Sequence, residues 1–289
     1  MFTQLINNLA ARRKRVMVRR LLAGTDIREL TWMPPAGSPL RHGQASVRLA
    51  MDHVIGPRTL AFGHWHDEHC QLLRARMVSA GSYHLIDVGA NAGLVSRQLL
   101  TTPGMQFCGA DCFEPDPHNF ALLTHNLAPF AGVHLHAAAL SDHDGEAEIF
   151  RGARNAGDIS LSPDAQLRSR TDLQGHTVPL LSAQRLGGEI LARLAPGTRL
   201  VWKSDTQGHD LKIVASMPDA IWERVEVALV ELRSVDATPA ELERFMAVVA
   251  GFPVRRSVKF GARDIGLEAI RRFILEANDR EIDLLLARR

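Results

Sequence analysis

The stretch His84-Leu-Ile-Asp-Val-Gly-Ala-Asn-Ala-Gly93 decides the fold, because an apolar run here passes directly into a glycine-bearing turn and then into a helix. Leu85, Ile86 and Val88 give the short apolar segment that a buried parallel strand needs. Gly89 and Gly93 allow a tight turn and close backbone approach without a Cβ in the way. Leu94 to Leu100 reads as the helix that follows. In a doubly wound α/β sheet, ligands bind outside the carboxyl ends of the strands, and the first strand-turn-helix unit carries the recognition glycines. Asp87 falls inside that turn.

A dinucleotide site would show G-x-G-x-x-G, with a pyrophosphate on the helix N-terminus. This loop reads D-V-G-A-N-A-G instead, and it begins with a carboxylate. That charge repels a pyrophosphate but suits the ammonium of an amino-acid-bearing cofactor, a demand that S-adenosylmethionine meets. The next strand, Phe107-Cys-Gly-Ala-Asp-Cys-Phe-Glu114, also ends in a carboxylate, which can accept both hydroxyls of a ribose. Pro115, Asp116 and Pro117 stop this strand, and Pro117 suits the first turn of a helix running from His118 to Leu127. Glu114 is preferred for the ribose over Asp111, which reads as a solvated strand position.

A third element has the same form. Arg199-Leu-Val-Trp-Lys-Ser-Asp-Thr-Gln-Gly208 is an apolar strand ending in polar residues and a glycine, with a helical stretch from His209 to Met217 behind it. Lys203, Asp205 and His209 therefore emerge at the carboxyl edge of the sheet, where they can position a substrate hydroxyl or take its proton. The competing structural reading makes Lys203 and Asp205 an ion pair and places His209 and Asp210 in a first helical turn.

Taken together, D-V-G-A-N-A-G at Asp87 to Gly93, F-E-P-D-P at Phe113 to Pro117 and K-S-D-T-Q-G-H-D at Lys203 to Asp210 resemble the FkbM family of S-adenosylmethionine-dependent methyltransferases. The last family segment usually reads K-x-D-V-x-G-x-E, so Thr206 and Asp210 depart from it. Weaker likeness lies in Ala138-Ala-Leu-Ser-Asp-His-Asp-Gly145 and Asn155-Ala-Gly-Asp-Ile-Ser160, and the whole covers about residues 60 to 289. The resemblance implies a Rossmann-like class I methyltransferase, an α/β fold whose mostly parallel seven-stranded sheet carries helices on both faces. It also implies methyl transfer to a hydroxyl of a small molecule, a sugar, a glycan or a secondary metabolite. Asp205 is then the first choice for substrate orientation or proton acceptance, with His209 second and Lys203 beside them. Asp87, Gly89, Asn91, Gly93, Glu114 and Asp142 form the cofactor set.

Composition agrees. A chain of 289 residues is long enough for one large α/β domain with an appendage, here residues 59–289 and a helical and loop extension over residues 1–58. A formal net charge of +2 provides no global drive toward nucleic acid, and a single tyrosine makes an aromatic nucleic-acid platform improbable. Ala11-Arg-Arg-Lys-Arg-Val-Met-Val-Arg-Arg20 is a local basic run whose apolar neighbours would suit an anionic membrane surface, against the alternative of a solvated helical face. No long apolar segment follows it, so neither a secretory signal nor a spanning helix is expected. Three cysteines, Cys70, Cys108 and Cys112, do not make a disulfide framework, which points to the cytoplasm.

Beyond the core, one strand is expected near Val133 to Leu140, and short strands with a loop from Glu146 to Val178, a candidate lid or acceptor-recognition element. Val225 to Leu232 reads as a strand, Pro239 to Ala250 as a helix, and Pro253 to Phe260 with Glu281 to Leu286 as a closing antiparallel pair.

Two other functions compete. His64-Trp-His-Asp-Glu-His69 gathers three imidazoles and two carboxylates, resembling the H-x-H-x-D-H motif of metallo-β-lactamase-type hydrolases. Glu68 stands where that motif has Asp, no distant histidines complete the site, and no metal is assigned; His66 and Glu68 are alternatively placed near the cleft. A non-catalytic binding module on the same fold is the other alternative.

Overall fold

The computed structural model describes residues 16, 18, 28–52, 54–78, 81–151, 159–161, 174–233, 237–258, 263–276 and 281–289. The basic run at residues 11–20, apart from Val16 and Val18, and most of the Asn155-to-Ser160 segment lie outside them.

Continuous apolar strands build the centre of the molecule. β3 (Ser82–Val88), β4 (Gln106–Phe113), β5 (Val133–His136), β10 (Arg199–Ser204) and β11 (Val225–Arg233) are parallel neighbours in the order β5-β4-β3-β10-β11. Beyond β11 the sheet turns antiparallel through β14 (Glu281–Ala287), β12 (Val254–Ser257) and the two-residue β13 (Arg263–Asp264). The expected closing pair is therefore present, and among the described residues the sheet has eight strands rather than seven because β13 extends its edge.

Alternation along each strand sends neighbouring side chains to opposite faces, and both faces are covered. Ile86, Val88 and Trp202 pack against α5 (Ala183–Arg193), α6 (Asp210–Ser216), α7 (Asp219–Arg224), α8 (Pro239–Ala250) and α9 (Leu267–Leu275). Leu85 and Val201 pack on the other face against α2 (Asp67–Arg74), α3 (Leu94–Leu100) and α4 (Pro117–Leu127). Local chemistry sets the helix starts. Asp116 caps α4 by accepting from the Asn119 N–H at 2.9 Å with Pro117 in the first turn, and Thr238 and Glu241 form a capping box at α8.

The single strand expected near Val133 to Leu140 is two. β4 ends at Phe113, and its last partner in β5 is His136, so nothing remains for the chain to pair with beyond that point. It leaves the main sheet and re-forms as β6 (Ala139–Ser141), at the edge of a second sheet ordered β6-β9-β7-β8 with β7 (Gly145–Arg151), β8 (Ile159–Ser160) and β9 (Gln174–Ser182).

The region before the core also differs from the expected helices and loops. β1 (Glu29–Trp32) and β2 (Val47–Ala50) form an antiparallel hairpin, and α1 (Ile55–Phe62) spans the anticipated boundary at residue 58. The buried Arg97 of α3 fixes this hairpin by donating to Leu40 O (2.7 Å), Ala45 O (3.0 Å) and Asn126 O (2.6 Å). Burial pulls its pKa down to about 10.

Asp111 is a second correction. It is fully buried rather than solvated, and its carboxylate takes His84, His136 and Arg193, each at 2.8 Å. These three partners hold it well below the ordinary carboxylate range despite burial, as a structural knot on the sheet. Among the described residues, no helix is long and apolar enough to cross a membrane.

Candidate active site

The carboxyl ends of β3, β4 and β10 are brought level by the register, which pairs Val88 with both Phe113 and Ser204. A cavity of about 390 Å³ opens there, walled by Gly89, Asn91, Glu114, Lys203, Asp205 and His209 among others. The turn after β3 is held from both sides. The N–H groups of Gly89 and Ala90 donate to Phe113 O at 3.0 and 2.9 Å, and the Asp205 N–H donates to Val88 O at 3.0 Å. Gly89 has φ +72°, and a Cβ on it would lie 2.1 Å from Asp205 O, so only glycine fits between the two strand ends.

Glu114 sits where a sugar hydroxyl pair can be received. The Asn91 N–H donates to Oε2 at 2.8 Å and the Asp116 N–H to Oε1 at 2.9 Å, which fixes the carboxylate at the cavity wall. Burial pushes its pKa up to about 7, and those two N–H donors pull against that rise.

Asp87 is placed differently from the expectation. It is fully buried, does not line the cavity, and pairs with Lys203 Nζ at 3.0 Å while accepting from Ser96 Oγ. Lys203 is its direct cross-strand neighbour and also donates to Gly89 O at 2.7 Å. The structural ion pair of Lys203 is thus made with Asp87 and not with Asp205. Burial would lower the Lys203 pKa, but Asp87 and Asp205 hold it well above its ordinary value, so the ammonium stays charged and ties the glycine turn to β10. Gly93 is not on the wall either: at φ +73°, its missing Cβ leaves room for Leu123 and Leu127 of α4. Asp142 also lies off the wall, bound to Ser141 Oγ at 3.0 Å and His143 Nδ1 at 2.7 Å.

Asp205 and His209 do reach the cavity. Burial would raise the Asp205 carboxyl, but Lys203, the Gln207 amide (2.9 Å), His66 and Arg233 hold it below its ordinary value. His209 Nε2 lies 3.0 Å from Ser141 Oγ, and burial together with Lys212 lowers its pKa to about 4. Behind them, Asp210 is pushed up to about 6 by burial and accepts from the N–H (3.1 Å) and hydroxyl (2.7 Å) of Thr206. The two departures from the family pattern therefore bond to each other.

Several wall residues were not singled out in the sequence. Glu231 and Arg233 come from β11, Glu281 and Asp283 from β14, and Gln207 lies between the strands. Burial, Asp205 and Asp210 raise the Glu231 carboxyl well above its usual range. The signal was available for Glu231, a carboxylate near the end of an apolar strand, as Glu114 is at the end of another. Asp283 was legible only as an acid between the buried Ile282 and Leu284. His66 and His69 also line the cavity, with their Nδ1 atoms 3.0 Å apart and His69 Nε2 3.3 Å from Asp283. His64 is not on that wall. Among the described residues, no three His, Cys, Asp or Glu side chains are grouped to hold a metal ion.

His66, Asn91 and Gln207, with φ of 49°, 50° and 58°, are the non-glycine residues with positive φ among the described residues, and all three line this cavity. Such strain concentrates at ligand sites.

No protein-family profile matches the sequence, and no curated protein sequence matches it. Solved structures resemble it distantly. A methyltransferase FkbM from Methylobacillus flagellatus KT is 13% identical over 71% of this chain with a TM-score of 0.41, and the match spans only 43% of that neighbour's length. An S-adenosylmethionine-dependent methyltransferase from Agrobacterium tumefaciens is 11% identical over 90% of this chain and 70% of its own, with a TM-score of 0.43. An rRNA methylase from Streptococcus thermophilus is 7% identical over 76% of this chain and 93% of its own, with a TM-score of 0.38.

Proposed function

We propose that this chain is an S-adenosylmethionine-dependent methyltransferase that modifies a hydroxyl of a sugar, glycan or secondary metabolite. The observation that carries the reading is Glu114: a carboxylate fixed by two backbone N–H groups at the end of the second parallel strand, facing the cavity beside a turn that admits only glycine. That arrangement suits a ribose diol next to a close-packed backbone. The wall accommodates a cationic ligand as well: Asp205 and Asp283 line it, and of its cations Arg58, Lys203 and Arg233, the last two are already paired with Asp87 and Glu281.

When bound, S-adenosylmethionine supplies a methyl group activated by its positive sulfur. The protein's contribution is then chiefly orientation. Gly89, Asn91 and Glu114 hold the nucleoside end. Asp87 behind the wall and Lys203 on it keep the turn in place. Asp205, held anionic, orients the acceptor, and neutral His209 lies farther along the same edge. The Asp205 and Asp283 carboxylates on the wall disfavour a phosphate backbone, which supports a small-molecule or glycan acceptor over nucleic acid.

The test is transfer of a labelled methyl from S-adenosylmethionine into fractionated cell extract. Label is expected in the small-molecule or glycan fraction and lost with Glu114→Ala. Label confined to RNA would overturn the acceptor reading, and no transfer to any fraction would contradict the enzyme reading.

A further inference from the structure

Methyl transfer to a hydroxyl releases a proton, and the cavity wall opposite Asp205 holds a chain of groups able to take it. His66 stands at the N-cap position of α2 in a left-handed conformation, φ 49°, ψ 41°, uncommon for a residue with a Cβ. In that conformation its Nδ1 lies 3.0 Å from Nδ1 of His69, one turn farther along α2, with the rings edge to face at 4.6 Å. His69 Nε2 lies 3.3 Å from Asp283 Oδ2 on β14. All three residues line the cavity.

One close charge and one hydrogen bond favour a single set of proton positions. The Asp283 carboxylate, 3.3 Å from His69 Nε2, favours the tautomer with its proton on that nitrogen, and a neutral His69 then has a bare Nδ1. That nitrogen accepts Nδ1–H from His66. His66 is thereby locked in the tautomer whose Nε2 carries a lone pair, the form a general base needs.

We propose that Asp283, His69 and His66 form a proton relay in which His66 Nε2 is the base for the methyl acceptor. The proposal rests on the methyltransferase reading above. The acceptor oxygen forms its bond to the methyl carbon, the carbon–sulfur bond breaks with its electron pair going to sulfur, and the hydroxyl proton passes to His66 Nε2. The Nδ1 proton of His66 can then move to His69, whose positive charge is stabilised by Asp283. His69 and Asp283 are positioning residues, and His66 alone touches the acceptor. The charged and titratable groups facing His66 are His69 from α2, Lys203 from β10, Asp205 just beyond its end, and Asp283 from β14. Burial and His69 lower its pKa to about 4, against Asp205 and Asp283, so it is neutral and ready to accept above about pH 5.

The test begins with the ligand-free wild-type protein labelled with 15N-histidine, because nitrogen shifts distinguish bare from protonated ring nitrogens. The expected result at pH 7 is Nδ1–H with bare Nε2 for His66 and Nε2–H with bare Nδ1 for His69, with both preferences lost in Asp283→Asn. His66→Asn is expected to reduce kcat by 10²- to 10⁴-fold, while S-adenosylhomocysteine binds within about threefold of wild type. Protonated Nε2 on His66 in the wild type, or an unchanged pattern in Asp283→Asn, would overturn the relay. A folded wild-type protein that binds no S-adenosylhomocysteine would instead remove the methyltransferase reading on which the relay depends.

Discussion

Replacing Lys203 by Met tests the assignment of the Asp87–Lys203 pair as the fastening of the glycine turn. Asp87 has no exposed surface and Lys203 only 7%, and they meet at 3.0 Å across adjacent strands. The substitution leaves Asp87 buried with Ser96 as its remaining side-chain partner and deprives Gly89 O of its 2.7 Å donor. Removing one member of a buried pair costs about 3–5 kcal/mol, because the remaining charge has neither water nor partner. For a domain of this size, 1 kcal/mol moves Tm by roughly 2–4 °C, so a drop of roughly 6–20 °C is expected. Urea unfolding gives the free energy directly. The double variant Asp87→Asn/Lys203→Met should recover much of the loss, since no uncompensated charge stays behind. Lys212→Met is the control: its contacts with Asp142 (3.9 Å) and Glu241 (3.7 Å) are partly solvated, and about 1 kcal/mol or less is expected. A loss below about 1 kcal/mol for Lys203→Met would refute the reasoning, because that is the value of an exposed pair.

Other expectations concern binding and packing. Glu114→Gln should weaken S-adenosylhomocysteine roughly 10- to 100-fold, since a hydrogen bond to a charged group contributes about 1.5–3 kcal/mol. The Glu114 carboxyl is raised to about 7, so the ionised form that accepts both hydroxyls is lost as pH falls through 7. Affinity measured by calorimetry should therefore decline from pH 8 to pH 6 in the wild type, and a flat profile would count against Glu114 as the ribose acceptor. Gly89→Ala places a methyl 2.1 Å from the Asp205 carbonyl and should abolish binding, whereas Gly93→Ala meets the movable Leu123 side chain at 2.7 Å and should mainly lower stability, by about 1–3 kcal/mol. Arg97→Met strands the carbonyls of Leu40, Ala45 and Asn126 and should loosen the hairpin, seen as faster amide exchange in β1 and β2.

The parallel strands were legible because burial on both faces writes itself as largely apolar runs, at Leu85 to Val88 and at Val225 to Leu232, broken only by Asp87, Glu226 and Glu231. The hairpin was not, since each of its strands has four residues and the glycines and prolines between them read as loop. Glu114, Asp205 and His209 were found from their positions at strand ends. The ion-pair reading gave Lys203 the wrong partner, Asp205, because its register against Asp87 depends on pairing strands more than a hundred residues apart. His66 was placed near the cleft from the sequence, but what gives it a distinct chemistry is contact with His69 and Asp283, which only the fold supplies.

The central claim is tested most directly by calorimetric titration of the wild-type protein with S-adenosylhomocysteine in the presence of a chelator. The account predicts one site per chain that survives the chelator and disappears in Gly89→Ala. A folded protein that takes up no S-adenosylhomocysteine, or one that binds it equally well with alanine at position 89, would contradict the account.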